Sequence, residues 1–333
     1  MPAAPLLAGG AEKGFLRLSK FETNSAPGLR RRVFFVEVSV MRKLKSTLRR
    51  PGFMAGLTIL FVAALSGVEA WAQNNLQLET IRKIRANSEP TFGTWVYLKD
   101  ASITEMLAAE GLDWMIIDME HTALDVEAVQ SLIVPLKETK CVPIVRPPKK
   151  DEGVIDRLLD AGVLGILFPF IDSKKAAEQA VRAVKYPPRG IRGMGYSRAQ
   201  RWGAKVEEAI KLSDEGTLVT LLVESKEGAA NIDSILSVPG VDAVEIGTWD
   251  MSGSFGVPGQ FEDERVKKAR MRIEEACRRK NMPIISWALD EEQVAKAYHA
   301  GSRMISLAGD ADFIWRGARR LLGEARRAAA SVK

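Results

Sequence analysis

The segment IIDMEH, Ile116 to His121, ends an apolar run in two carboxylates and one of the chain's two histidines. An imidazole set beside carboxylates suits proton transfer near neutral pH. Arg146 closes VPIVRPP, where Val142, Ile144 and Val145 read as a buried strand. A guanidinium at such a strand end can clamp a carboxylate and stabilise an oxyanion. Glu224 closes the apolar run in TLVTLLVES, and Asp250 follows the next run in VEIGTWDMSGSFG. A buried acid needs a partner, and a cation is one. Two carboxylates on consecutive strands make a hard-oxygen site suited to Mg or Mn rather than zinc, with a keto acid and water supplying further oxygens. Glu245 reads as mid-strand, either pairing inside a barrel or facing a helix. No lysine stands out at a strand end, so Schiff-base chemistry has no obvious candidate.

These residues need elements that carry them to one place. From about Thr91 the chain alternates short apolar runs with longer amphipathic ones, the pattern of parallel strands joined by helices. The runs are 92–98, 114–118, 142–146, 165–168, 218–224, 243–247, 283–288 and 304–307, and helical segments include 102–110, 126–137, 155–161, 174–185 and 265–279. Eight strand and helix units in this length predict an α/β fold, a closed (β/α)8 TIM barrel, with chemistry at the carboxyl ends of its strands. An open doubly wound sheet is the alternative, but it would carry a Gly-rich turn after the first strand, and none follows Leu98. The long interruption from Tyr186 to Thr217, with PPRGIRGMGYSRAQRWG, suggests a lid over the site or, failing that, a phosphate cradle. The pattern of 313–328 is amphipathic enough to pack on a neighbouring subunit or to close its own barrel.

The formal charge of +6 invites a nucleic-acid partner, so its location matters. Residues 1–72 hold 11 Lys and Arg against 4 Asp and Glu, which leaves 37 against 38 for residues 73–333. The basicity belongs to the leader, and no nucleic-acid partner is expected. Residues 41–72 have the layout of a signal peptide: a basic segment from Met41, the apolar run 53–65, then small residues ending in Ala70-Trp71-Ala72. The apolar run is short for a membrane span, so contact with a membrane is expected only through an uncleaved leader. Residues 1–40 read as an upstream extension, with translation starting at Met41, and 73–333 as the barrel. Export, to the periplasm, follows if the signal works; Arg49-Arg50 leaves the twin-arginine route open beside the general one. An anchored or a cytoplasmic location is the alternative. Cys141 and Cys277 read as small core residues.

The order of motifs adds a resemblance. FGTWVYL, GLDWMIIDMEH, VPIVRPP, LLDAGVLGILFP, YPPRGIRGMG, LLVES, VEIGTWDMSGSFG and MISLAGD resemble the HpcH/HpaI aldolase and citrate lyase family, in its pyruvate-specific class II aldolase branch. The resemblance implies reversible cleavage of a 4-hydroxy-2-oxo acid to pyruvate and an aldehyde, with a divalent metal (Mg, Mn or Co). By position it implies Glu224 and Asp250 as metal ligands and Arg146 as the pyruvate-binding arginine. It implies His121 as the acid/base group, assisted by Asp118 and by Asp160 of LLDAG. Trp249 and Asp250 then border the substrate. Leu222 stands where the family usually has glutamine, and Trp249 where it has a small residue. Barrels of this family commonly assemble, so a homo-oligomer, trimer or hexamer, is expected. Two other readings stay open: a CoA-thioester lyase of the citrate lyase kind, and a non-catalytic exported binder of keto acids.

Overall fold

The structure is a computed structural model that describes residues 76–148 and 152–332. The leader, and with it the expected extension, signal and cleavage after Ala72, lies outside the described residues. The described residues all belong to one compact unit.

Eight parallel strands close into a barrel in sequence order, β1 pairing with β8 as well as β2, so the open doubly wound sheet is excluded. The strands are β1 (Thr91–Val96), β2 (Trp114–Asp118), β3 (Val142–Arg146), β4 (Gly165–Phe168), β5 (Leu218–Val223), β6 (Ala243–Ile246), β7 (Ile284–Ala288) and β8 (Met304–Gly309). A helix over residues 76–86, α1, precedes β1. The following helices are α2 (Ala101–Ala109), α3 (Val126–Ile133), α4 (Glu152–Ala161), α5 (Lys174–Val184), α6 (Val206–Gly216), α7 (Lys226–Ala230), α8 (Ile232–Ile235), α9 (Thr248–Ser254), α10 (Glu264–Arg279), α11 (Glu291–His299) and α12 (Asp310–Ser331). The helix expected over 126–137 is split, because Pro135 ends α3 and opens a separate 3-10 turn, Pro135–Glu138.

Side-chain alternation sorts each strand into two faces. On β2, Trp114 and Ile116 turn inward with Ile144, Leu167, Leu222 and Met304, whereas Met115 and Ile117 pack outward beneath the helices with Val129 and Leu132. The same alternation turns Asp118, two residues beyond Ile116, into the barrel. Gly93 makes the interior possible: a Cβ there would stand 2.1 Å from the Trp114 ring, so only a glycine admits that indole. Five helices that follow strands begin at the carboxyl-end rim with side-chain caps: Asp100, Asp125, Ser173, Ser225 and Asp290 each accept a backbone N–H of the first turn. Both cysteines are buried and free, and burial pushes the Cys277 thiol up to about 12, as core residues should behave.

The segment 186–217 is not a lid over the strand ends. It follows α5 and precedes β5, which puts it at the strand-start end, where Arg192 pairs with Asp160 at 3.1 Å and Arg198 donates to the Ala161 carbonyl at 2.7 Å. With α1 it encloses a cavity of about 530 Å³ lined by Ile81, Tyr186, Arg198 and Trp202. The topology of a barrel decides this: only loops from strand to helix reach the mouth.

Candidate active site

At the mouth, Asp118 and Arg146 are register partners on adjacent strands. The guanidinium meets the carboxylate as a fork, Nε to Oδ1 at 2.9 Å and Nη2 to Oδ2 at 2.8 Å. Asp118 is fully buried and also accepts the backbone N–H of Glu120 at 3.0 Å and of His121 at 3.4 Å. One carboxylate therefore fixes both the arginine and the loop that carries the histidine. Below the guanidinium, Trp95 lies with its ring centroid 4.6 Å from the Arg146 Cζ, and it stacks on Tyr97 and Trp287. An arginine held by a fork and an aromatic face has little rotational freedom left.

The imidazole of His121 does not sit on Asp118. Its Nε2 faces Glu120 Oε2 at 3.9 Å, and the side chain is largely open to solvent. Glu120 in turn lies 3.4 Å from Arg146 Nε. Burial pushes the Glu120 carboxyl up, Arg146 and His121 oppose this, and the charges of Asp118 and Asp250 add to it. The expected assistance of Asp118 to His121 is thus a backbone contact, and the carboxylate beside the imidazole is Glu120. DMEH contains that signal, since the nearest side chain on a tight turn is the preceding residue.

Glu224 stands just beyond β5, two residues after Leu222, and is 3% exposed. Its Oε1 accepts the Phe170 N–H at 2.8 Å, from a backbone with φ of 54°. A phenylalanine in the left-handed region is strained, and here the strain presents an N–H to a buried acid. Burial pushes Glu224 up to about 8; the Phe170 bond opposes that shift, while Asp250 and Glu120 add to it. Gly247 lets β6 approach closely, for a Cβ there would stand 2.8 Å from Glu224 Oε2. Asp250 belongs to the first turn of α9 and is exposed. Glu224, Asp250 and Glu120 are thus three carboxylates within electrostatic reach of one another.

That donor set fits a divalent cation. The oxygens are hard, one is buried and held against its ordinary ionisation, and a cation would relieve the repulsion among all three. Among the described residues no three His, Cys, Asp or Glu side chains form a ready-made metal group, so Glu224 and Asp250 would leave the remaining positions to substrate and water.

Two expected residues stay outside the cluster. Asp160, on α4, pairs with Arg192 of the segment 186–217 and accepts the Ala199 N–H through its backbone carbonyl, away from the mouth of its own barrel. The Trp249 indole is 72% exposed and packs edge-on against Phe261 at 4.7 Å, so its ring does not fill the space beside Glu224. Leu222 is interior packing, 2% exposed. Glu245, left open between two orientations, faces inward, where its Oε1 accepts the Trp287 indole N–H at 3.3 Å.

A family model described as HpcH/HpaI aldolase/citrate lyase matches residues 91–315. The chain belongs to this family. A hydroxypyruvate/pyruvate aldolase of Deinococcus radiodurans is 37% identical over 250 residues, 73% of this chain and 88% of that protein. A 4-hydroxy-2-oxo-heptane-1,7-dioate aldolase of Shigella sonnei is 33% identical over 73% of this chain and 94% of its own length. Among solved structures, an HpcH/HpaI aldolase/citrate lyase family protein from Burkholderia cenocepacia superposes with a TM-score of 0.71 at 30% identity, covering 74% of this chain and 98% of that one. The family match covers every strand of the barrel, and with it Asp118, His121, Arg146, Glu224 and Asp250.

Proposed function

We propose that this member of the HpcH/HpaI family is a divalent-metal-dependent aldolase that cleaves a 4-hydroxy-2-oxo acid to pyruvate and an aldehyde. The aldolase relatives support the reaction class. The observation that carries the site is that Glu224, Asp250 and Glu120 lie within electrostatic reach of one another and of a guanidinium locked by Asp118.

Glu224 and Asp250 would hold Mg, Mn or Co, and the ion would supply a Lewis acid that polarises the 2-oxo group. His121 removes the proton of the 4-hydroxyl; the C3–C4 bond breaks as the aldehyde carbonyl forms, and the bonding pair passes to the three-carbon fragment as an enolate. Arg146 faces the negative charge of that fragment, its own position set by Asp118 and Trp95. A proton delivered to C3 then gives pyruvate. Glu120 beside His121 stabilises the imidazolium between these two transfers.

The working unit in this reading is a homo-oligomer, a trimer or hexamer. Support comes from α12, whose one buried residue is Asp310 and which leaves Phe313, Ile314, Trp315, Leu321 and Leu322 largely exposed along 22 residues. Such a stripe on a long helix is the kind of surface a second copy covers. The leader's layout supports export to the periplasm, which mass spectrometry of the mature N-terminus tests.

The direct test of activity is pyruvate release, read through lactate dehydrogenase, from a panel of 4-hydroxy-2-oxo acids with added Mg, Mn or Co. Turnover that needs the ion and is lost in Asp250→Ala supports the assignment. Turnover surviving both His121→Ala and Asp250→Ala rejects it.

A further inference from the structure

One level below the mouth, β6 contributes a buried acid that the proposed chemistry leaves unused. Glu245 is 5% exposed and paired in register with the neutral Leu222 of β5. Its Oε1 takes the Trp287 indole N–H of β7, while its Oε2 has no hydrogen-bond partner among the described residues. The charges acting on it are Arg146 of β3, which favours its ionised form, and Asp118 of β2, which disfavours it; Tyr97, just past β1, is itself pushed up in part by Glu245. Burial is the largest influence, pushing the carboxyl up to about 7, and Arg146 with Trp287 opposes it.

Arg146 is already committed. It forks onto Asp118 and sits 3.4 Å from Glu120. With Glu245 ionised, three carboxylates draw on this guanidinium, and the carboxylate of an entering 2-oxo acid makes a fourth anion. Removing one negative charge relieves the conflict, and the carboxyl that gives it up at least cost is the desolvated one with an unpartnered oxygen. We propose that Glu245 is a positioning residue that takes up a proton from solvent when an anionic 2-oxo acid binds, leaving Arg146 available to that anion. The inference rests on the aldolase reading of the same site.

The test is oxalate binding to the Mn-loaded full chain, measured by calorimetry from pH 6 to pH 8.5 in buffers of different ionisation enthalpy. Since Glu245 is protonated below about pH 7 in the free protein and ionised above it, the affinity of the parent should fall as pH rises past that point. Glu245→Gln, neutral throughout and still able to accept from Trp287, should bind about tenfold tighter than the parent at pH 8.5 and within twofold at pH 6, with fewer protons taken up. Trp287→Phe removes a bond that favours the ionised acid, so its affinity should begin to fall at a higher pH than in the parent. His121, Glu120, Glu224 and Asp250 are common to all three proteins and cancel in the comparison. If Glu245→Gln does not fold, as thermal unfolding would reveal, the displacement in Trp287→Phe decides. A parent that binds oxalate while the variants keep its pH profile and proton uptake overturns this inference alone. A parent that binds oxalate at no pH overturns the aldolase reading with it.

Discussion

The two ends of this barrel are built on opposite terms. At the strand-start end, α1 seals the interior with Ile81 and Ile84, 1% and 2% exposed, and its polar side chains are tied down. Gln77 donates to the carbonyls of Leu136 and Cys141, and Arg85 binds Asp242 at 2.7 Å and the Thr217 carbonyl at 3.0 Å. At the mouth, burial instead raises the carboxyls of Glu120, Glu224 and Glu245 above their ordinary range, and Phe170 adopts a strained backbone to serve one of them. The first end stabilises the fold, while the second stores electrostatic cost that a cation would relieve. Stability and chemistry should therefore be separable by substitution.

The largest effect expected is on activity. Glu224→Gln and Asp250→Asn should each lower kcat/KM about 1000-fold or more, because losing the ion forfeits several kcal/mol of charge stabilisation at about tenfold per 1.36 kcal/mol. Without metal the unfolding midpoint of Asp250→Asn should stay near the parent's and that of Glu224→Gln should not fall below it, since the substitution removes a buried acid; steady-state pyruvate release beside thermal unfolding checks both halves. His121→Ala should cost about 10²- to 10⁴-fold in kcat, the usual worth of a positioned acid–base group, without changing the affinity for Mn. At the opposite end Ile84→Ala should cost about 2–5 kcal/mol in urea unfolding and leave kcat within twofold, reversing the mouth pattern. An Ile84→Ala protein that stays folded but loses turnover would break the proposed separation.

Acid chemistry sharpens the contrast. Glu224 ordinarily ionises near 4.5 in an unfolded chain and near 8 here, so the folded chain holds more protons between those values. Metal-free stability should therefore be highest below about pH 4.5 as far as this group is concerned, and decline as pH rises toward 8. Urea unfolding in chelator at pH 5.5 and pH 8.5 should show the drop, with Glu224→Gln flatter and Mn restoring the parent at the higher pH. The smallest effect expected is that of Trp249→Ala, under threefold on kcat/KM, since its indole rests on Phe261 at the surface.

The strands were legible from the sequence because each is a short, mostly apolar run between amphipathic segments: β2, β3 and β4 carry the bounds that their runs predict. Asp118, Arg146 and Glu224 were legible for the same reason, as charges that end such runs. What pattern alone misplaces is long-range direction. The segment 186–217 has the composition of a lid, but its place between helix and strand puts it at the other end. The inward turn of Glu245 was open because one residue of register reverses a side chain, and only pairing with Leu222 and Trp287 resolves it. Helix α1 went unread although Ile81 and Ile84 carry helical spacing, because a short helix ahead of the first strand belongs to no strand and helix unit.

Titrating the chelator-treated protein with Mn while following free Mn by electron paramagnetic resonance, with and without pyruvate, decides whether Glu224 and Asp250 hold an ion that the substrate shares. One site per barrel should appear, tighten when pyruvate is present and disappear in Asp250→Asn. Equal Mn binding by the parent and by Asp250→Asn, indifferent to pyruvate, would contradict it.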